Sequence, residues 1–86
     1  MDPYQWVDQY LNYLKIEKGL APKTINAYAG DLDRFISYLN HQNISGLDGI
    51  DTPTILKYII ELRKAGRSAR TRARHLVAIR GFFNYL

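Results

Sequence analysis

The residues with the clearest chemical potential lie in one stretch near the end of the chain. Residues 64–83, KAGRSARTRARHLVAIRGFF, contain one lysine and five arginines but no acidic side chain. The apolar residues of this stretch follow helical spacing, so the cations lie on a predicted helix. A solvated helix face usually mixes both signs of charge. Charge of one sign therefore indicates an anionic partner, because arginine binds carboxylate or phosphate through paired hydrogen bonds.

The position of these cations within the helix strengthens that interpretation. Arg70, Arg72 and Arg74 lie in the first two turns of a helix that Ser68 is expected to cap. The helix macrodipole disfavours cations there by about 0.3 kcal/mol each. A phosphate would offset this cost by accepting hydrogen bonds from the arginines, the free amides and the hydroxyls of Ser68 and Thr71. We predict a nucleic-acid partner, with a merely solvated face, a membrane surface and an acidic protein as alternatives.

Length, composition and charge narrow the class of protein. The 86 residues are 47% hydrophobic, which is enough for one small domain with a single modest core. Residues 1–61 contain five basic and eight acidic side chains, whereas residues 62–86 contain seven basic and no acidic ones. The absence of cysteine excludes disulfides, thiol catalysis and cysteine zinc sites. No apolar run reaches the roughly 20 residues of a membrane span, so we expect a cytoplasmic protein that binds no membrane.

Apolar spacing and end signals predict four helices and no strand. Asp2 and Pro3 begin the first helix, Gly19 follows its end, and Pro22 opens the second. Residues 40–51 lose periodicity and form a loop that Ile44, Leu47 and Ile50 are expected to anchor. The predicted fold is an all-α, compact four-helix bundle with helices at about 4–18, 22–41, 53–65 and 68–86.

A helical wheel divides the last predicted helix into two faces. The polar arc holds Arg67, Arg70, Thr71, Arg74 and Ala78. The apolar arc holds Leu76, Ile79, Phe83 and Leu86. Arg80 falls within the apolar arc, where an unpaired cation is costly, so we expect a structural ion pair between Arg80 and Asp31, with Asp33 or Glu17 as substitutes.

The start of the second helix offers another polar surface. The sequence APKTINAY puts Ala21 where a capping Ser or Asp is expected, which leaves backbone amides unpaired. Either a phosphate or water would satisfy these amides. The first turn that follows contains Lys23, Thr24, Asn26 and Ala27.

No residue pattern indicates catalysis, a metal or a cofactor. His41 and His75 have no Asp, Glu or Cys at ligand spacing, and Ser68 has no base partner. The seven tyrosines and Trp6 lie mostly at core or rim spacing, so we interpret them as packing residues. We therefore expect no cofactor, no metal and no catalytic residue in this chain.

Two longer phrases carry a resemblance to a known family. YLKIEKGLAPKTINAYAGDLDRFISYL and RARHLVAIRGFFNYL resemble the N-terminal core-binding domain of tyrosine recombinases, closest to the Xer and phage or integron integrase branch. The resemblance covers essentially the whole chain, residues 1–86, as one domain. It implies a SAM-like four-helix domain that forms half of a clamp around duplex DNA, with a separate catalytic domain as the other half.

The resemblance also implies which residues contact DNA, because the second and fourth helices of the family approach the major groove. Ala21 departs from the Ser often found at its position, so no hydroxyl is available there for a phosphate. Lys64 and Arg67 would reach flanking phosphates. The full predicted DNA-binding set is Lys23, Thr24, Asn26, Ala27, Lys64, Arg67, Ser68, Arg70, Thr71, Arg72, Arg74 and Ala78.

The family's catalytic set of arginines, lysine, histidine and tyrosine nucleophile belongs to the catalytic domain, which we expect to begin after Leu86. Tyr85 is therefore interpreted as a core or rim aromatic. The resemblance implies a monomeric DNA-binding fragment of a bacterial, archaeal or phage recombinase, with double-stranded DNA and other recombinase protomers as partners. The alternative is a helical protein-interaction module without direct DNA readout, in which Trp6 and Tyr13 would matter more than the arginines.

Overall fold

The computed structural model describes residues 2–44 and 46–86, and every regular element in these ranges is an α-helix. The prediction of an all-α four-helix fold is confirmed, with each helix end within two residues of its predicted place. The helices are α1 (Pro3–Ile16), α2 (Pro22–His41), α3 (Thr52–Lys64) and α4 (Ala69–Tyr85).

The helix starts follow the capping signals of the sequence. Asp2 caps α1 in a complete capping box. Asp51 caps α3, and Ser68 caps α4 by accepting a hydrogen bond from the backbone N–H of Thr71 at 3.1 Å. Ala21 begins α2 without any side-chain hydrogen bond. The start of α2 therefore differs from the other three in leaving its amides to another acceptor.

A tight turn after α3 sets the place where α4 begins. Gly66 has a φ of 84°, a left-handed conformation that favours glycine. The N–H of Arg67 donates to the carbonyl of Leu62, and the N–H of Gly66 donates to that of Arg63, both at 3.0 Å. This pair of bonds is a Schellman motif, which ends α3 and turns the chain at once into the cap of α4.

The core lies where α2 and α4 pack against each other, with α1 covering both and α3 packing on α4. Leu32 and Phe35 of α2 and Ile79 and Phe82 of α4 have no exposed surface. Burial of such side chains supplies the main stabilising free energy of a domain this small. The loop residues Ile44, Leu47 and Ile50 pack against this core, as predicted.

The packed face of α4 differs from the predicted one. Its buried residues are His75, Ala78, Ile79 and Phe82. The assignment of Ala78 to the DNA-facing arc is therefore wrong, because Ala78 is 0% exposed. Leu86 of the predicted apolar arc is 49% exposed. A wheel drawn from apolar residues alone leaves out His75, which is buried beside Asp31 of α2, so the observed inner face is centred on different residues.

The last turns of α4 pack against α1 through aromatic rings. The ring centroid of Tyr85 lies 5.5 Å from that of Tyr10 and 5.0 Å from that of Tyr13. Tyr85 is partly buried against the core, which confirms its interpretation as a packing aromatic. Gly81 lies directly under the hydroxyl of Tyr10, where a Cβ atom would collide with that hydroxyl. Glycine at this position lets α1 and α4 approach closely.

Candidate nucleic-acid interface

The starts of α2 and α4 meet at a surface cavity of about 420 Å³. All of its lining residues except Tyr28 belong to the predicted DNA-binding set. The lining comprises Lys23, Thr24, Ala27 and Tyr28 from α2 and Arg70, Thr71 and Arg74 from α4. The fold therefore brings together residues that are more than 40 positions apart in the sequence. The polar surfaces predicted at the start of the second helix and on the last helix thus form one continuous surface.

The cavity is electropositive for two physical reasons. Its three charged lining residues, Lys23, Arg70 and Arg74, are all cations. The first turns of α2 and α4 contain no acidic residue, so their macrodipoles add positive potential at the same place. The three hydroxyl-bearing lining residues, Thr24, Tyr28 and Thr71, are all partly exposed. The arrangement offers the charges and hydrogen-bond donors that an anion with several oxygens needs.

Other residues of the predicted set surround the cavity without lining it. Asn26, Lys64 and Arg67 are exposed. Lys64 lies 3.6 Å from the carboxylate of Glu61, but both side chains are more than half exposed, so this ion pair contributes little. These cations remain available to a partner that extends beyond the cavity.

Ser68 and Arg72 of the predicted set are only partly available to a ligand. The Ser68 hydroxyl accepts the cap hydrogen bond and donates to the hydroxyl of Thr71 at 3.1 Å, so it has little capacity left for a ligand. Arg72 is partly buried, and its Nε atom is out of contact with water and has no hydrogen-bond partner among the described residues. Arg72 therefore presents at most its outer nitrogens to a ligand.

Arg74 makes a two-bond ion pair with Asp31 across the α2–α4 contact. The Nε atom of Arg74 donates to Oδ2 of Asp31 at 2.8 Å, and Nη2 donates to Oδ1 at 2.7 Å. The Asp31 side chain is 3% exposed, whereas that of Arg74 is 44% exposed. Hydrogen bonding to this carboxylate raises the pKa of Arg74. The predicted pair of Arg80 with Asp31 is therefore wrong: Arg80 is exposed, because the rotated inner face of α4 turns it toward solvent.

A second buried side chain holds the same carboxylate. His75 is 3% exposed, and its Nε2 atom lies 3.0 Å from Oδ1 of Asp31. The hydroxyl of Tyr58 lies 3.0 Å from the other ring nitrogen, Nδ1. Burial lowers the pKa of His75 and raises that of Tyr58. We assign a neutral His75 at pH 7 on the basis of this lowered pKa, with Tyr58 donating to Nδ1 and Nε2–H donating to Asp31.

Tyr28 lines the cavity, although its sequence spacing predicts a packing residue. It follows Thr24 by four positions and Ala27 by one, so it lies on the same side of α2 as Thr24. The helical spacing alone could have placed it at the interface. The pairing of Asp31 with Arg74 could be anticipated only in part, since a carboxylate on an apolar helix face needs a partner but the rotation of α4 decides which arginine reaches it.

The described residues show neither a metal site nor a membrane span. Within residues 2–44 and 46–86, no group of three or more His, Cys, Asp or Glu side chains is placed to hold a metal ion. Among the four helices described, none has the length and apolar character needed to cross a bilayer.

Comparison with known proteins gives one family and a consistent set of relatives. The profile of the phage integrase N-terminal SAM-like domain matches residues 7–86. Tyrosine recombinase XerD of Listeria innocua is 37% identical over 81 residues, which cover 93% of this chain and 27% of the relative. Tyrosine recombinase XerC of Herpetosiphon aurantiacus is 34% identical over 95% of this chain and 27% of the relative.

A third relative, tyrosine recombinase XerD of Staphylococcus haemolyticus, is 38% identical over 92% of this chain and 27% of its own length. The chain therefore spans about 27% of the length of the curated relatives it matches. No solved structure gives a significant match.

Proposed function

We propose, since the chain belongs to the phage integrase N-terminal SAM-like domain family, that it is the DNA-binding half-clamp of a site-specific tyrosine recombinase or integrase. The family match confirms the resemblance read from the sequence. The observation that carries the proposal is the cavity between the starts of α2 and α4, whose charged lining residues are all cations. A duplex laid across both helix starts would place phosphates where these cations and unpaired amides converge.

The proposed contacts divide by position. Lys23 and Arg70 neutralise a phosphate at the cavity, and the hydroxyls of Thr24 and Thr71 donate hydrogen bonds to it. Ala27, a small residue in the cavity lining, leaves room for the nucleic acid to approach α2. Beyond the cavity, Lys64 and Arg67 bind flanking phosphates and Asn26 faces the duplex.

The role of the parent protein is proposed from its relatives. They are named tyrosine recombinases, but this chain aligns with only 27% of their length. We place the catalytic residues outside these 86 residues, so this segment contributes DNA binding to integration or recombination and cleaves nothing itself. Other recombinase protomers as partners, a monomeric state for the isolated domain and a cytoplasmic location stay predictions.

Titration of the isotope-labelled chain with a mixed-sequence DNA duplex at low salt tests the proposal. We expect amide shift changes concentrated at the starts of α2 and α4, including Lys23 and Arg70, and we expect added salt to reverse them. Lys23→Ala should weaken binding, whereas Lys57→Ala, which removes an exposed lysine of α3, should not. An unperturbed surface at α2 and α4 would contradict the proposal.

The same titration addresses the alternative of a protein-interaction module. Trp6 and Tyr13 of α1 are partly buried and pack against the core, which leaves them less surface for a partner. If duplex DNA causes no change while rising protein concentration shifts resonances of α1, the interaction module is the better explanation. Changes at the cavity that depend on DNA would count against it.

A further inference from the structure

Asp31 is an acidic side chain placed directly behind a surface that the proposed function assigns to an anion. Its carboxylate accepts two hydrogen bonds from Arg74, at 2.8 Å and 2.7 Å, and is shielded from solvent. Net attraction for DNA would be stronger without it, because the carboxylate cancels one cation of the interface. The presence of Asp31 therefore calls for an explanation other than charge.

The geometry of the pair supplies that explanation. Asp31 occupies the Nε and one Nη2 donor of Arg74, so the guanidinium plane is fixed by two parallel bonds. Arg74 also lines the cavity, and its side chain is 44% exposed, so its outer N–H donors remain accessible. Arg74 thus presents its remaining N–H donors in a fixed orientation, while most of its positive charge is neutralised by the Asp31 carboxylate.

The carboxylate is itself held from behind. His75 donates from Nε2 to Oδ1 of Asp31 at 3.0 Å, and Tyr58 donates to His75 at 3.0 Å. These bonds connect α3 through α4 to Asp31 on α2, and His75 and Asp31 are almost completely buried. Asp31 consequently has little freedom to rotate, and neither does the guanidinium that it binds.

We propose, resting on the proposed function, that Asp31 is a positioning residue that orients Arg74 to read a base edge in the major groove. A fixed arginine fork matches the O6 and N7 acceptors of guanine, and such contacts discriminate between bases. Arg74 then contributes to sequence preference, whereas Lys23 and Arg70 supply the attraction that depends on salt. The buried histidine and tyrosine serve the interface indirectly, by holding the carboxylate.

The decisive comparison uses two aspartate variants with the same charge change. A preferred duplex is first selected from a randomised pool with the unaltered chain, and affinities for that duplex and a scrambled one are then measured. Asp31→Asn should reduce the preference by about tenfold, because the amide cannot hold the fork with two acceptors. Asp33→Asn removes an exposed carboxylate of the same helix and should leave the preference unchanged. Melting curves establish that both variants are folded.

Arg74→Lys gives a second readout that leaves the Asp31 side chain itself unchanged. Lysine retains the charge but lacks the planar fork, so the preference should fall as in Asp31→Asn while the salt dependence of binding stays the same. Adding Asp31→Asn to Arg74→Lys should cause no further loss of preference if Asp31 acts through Arg74. If Asp31→Asn does not fold, Arg74→Lys still tests the inference, because full preference in that variant would overturn it.

The outcomes separate this inference from the proposed function. If the unaltered chain binds no duplex at low salt, the proposed function fails. If it binds in a salt-dependent way but selects no sequence, or if Asp31→Asn and Arg74→Lys keep the full preference, the positioning role is overturned while DNA binding stands. Tighter binding by Asp31→Asn to both duplexes alike would show that charge alone governs this site.

Discussion

The first two turns of α4 and its last two turns perform different tasks on one continuous helix. The first turns begin at the Ser68 cap, contain no acidic residue and expose Arg70 to the cavity. The last turns bury Phe82 completely and place Gly81 under Tyr10. Binding and stability are thus separated along the helix, because the cations sit where the chain enters the bundle and the apolar residues where it crosses the core.

The two regions join at consecutive residues. Arg74 is half-exposed and belongs to the cavity, whereas His75 is buried and belongs to the core. Both bind Asp31, so this carboxylate connects the binding region to the packing region. Substitutions in the last turns should change the free energy of unfolding, and those in the first turns should change DNA affinity.

The largest expected effect lies in the packing region. Phe82→Ala should lower the free energy of unfolding by about 3–5 kcal/mol, because it removes a ring that is 0% exposed and leaves a cavity. Val77→Ala, on the same helix but 57% exposed, should stay within about 0.5 kcal/mol of the unaltered chain. Urea unfolding measures both, and similar losses in the two variants would refute the division of α4.

Replacing either of two glycines by alanine should change the free energy of unfolding by a smaller amount, and the two changes should have opposite signs. Gly81→Ala should lower the free energy of unfolding by about 1–3 kcal/mol, because the new Cβ meets the Tyr10 hydroxyl. Gly30→Ala should raise it by about 0.5–1 kcal/mol, since Gly30 lies within α2 and a Cβ there meets nothing within 4 Å. Thermal melting distinguishes the two. Equal changes in melting temperature for the two variants would mean that α1 and α4 do not approach as closely as described.

In the binding region, Arg70→Ala should weaken DNA binding and leave the stability of the fold almost unchanged. Loss of this cavity cation should weaken duplex binding by about 1 kcal/mol, because it removes one phosphate contact. The free energy of unfolding should change by less than about 0.5 kcal/mol, because the side chain is exposed. Fluorescence anisotropy with labelled duplex measures the affinity. A variant that binds DNA normally would remove Arg70 from the interface.

The junction between the regions should respond to pH. Burial beside Tyr58 lowers the pKa of His75, while Arg74 neutralises Asp31, so the folded chain binds a proton less readily than the unfolded one. The His75 contribution to stability is therefore complete above about pH 6.5 and is lost as pH falls below it, by at most about 1.4 kcal/mol per pH unit.

Denaturation of the His41→Gln variant between about pH 7.5 and about pH 5.5 isolates this effect. His41 is exposed, and its replacement leaves His75 as the chain's one histidine. Stability that stays constant as pH falls would mean that folding does not shift the pKa of His75, and stability that rises would mean that the folded chain binds the proton more readily than the unfolded one.

The sequence predicted the helices well because caps and apolar periodicity act locally. Asp2, Ser68 and Gly66 each ended or began a helix through bonds within a few residues. The cavity residues were predicted largely from the family resemblance and the wheel. Tertiary pairing was not predictable in the same way. The choice of Arg74 over Arg80 for Asp31 depends on how α4 is rotated, and the inner face includes the polar His75, which an apolar pattern does not reveal.

The central claim is that the cations at the starts of α2 and α4 bind the DNA backbone, and the salt dependence of duplex affinity tests it most directly. With Lys23, Lys64, Arg67 and Arg70 exposed, and Arg74 neutralised, about four phosphate contacts predict a slope of log K against log salt concentration near −4. The slope should fall in magnitude by about 0.9 in Arg70→Ala. A slope near zero, or one unchanged by Arg70→Ala, would contradict the account.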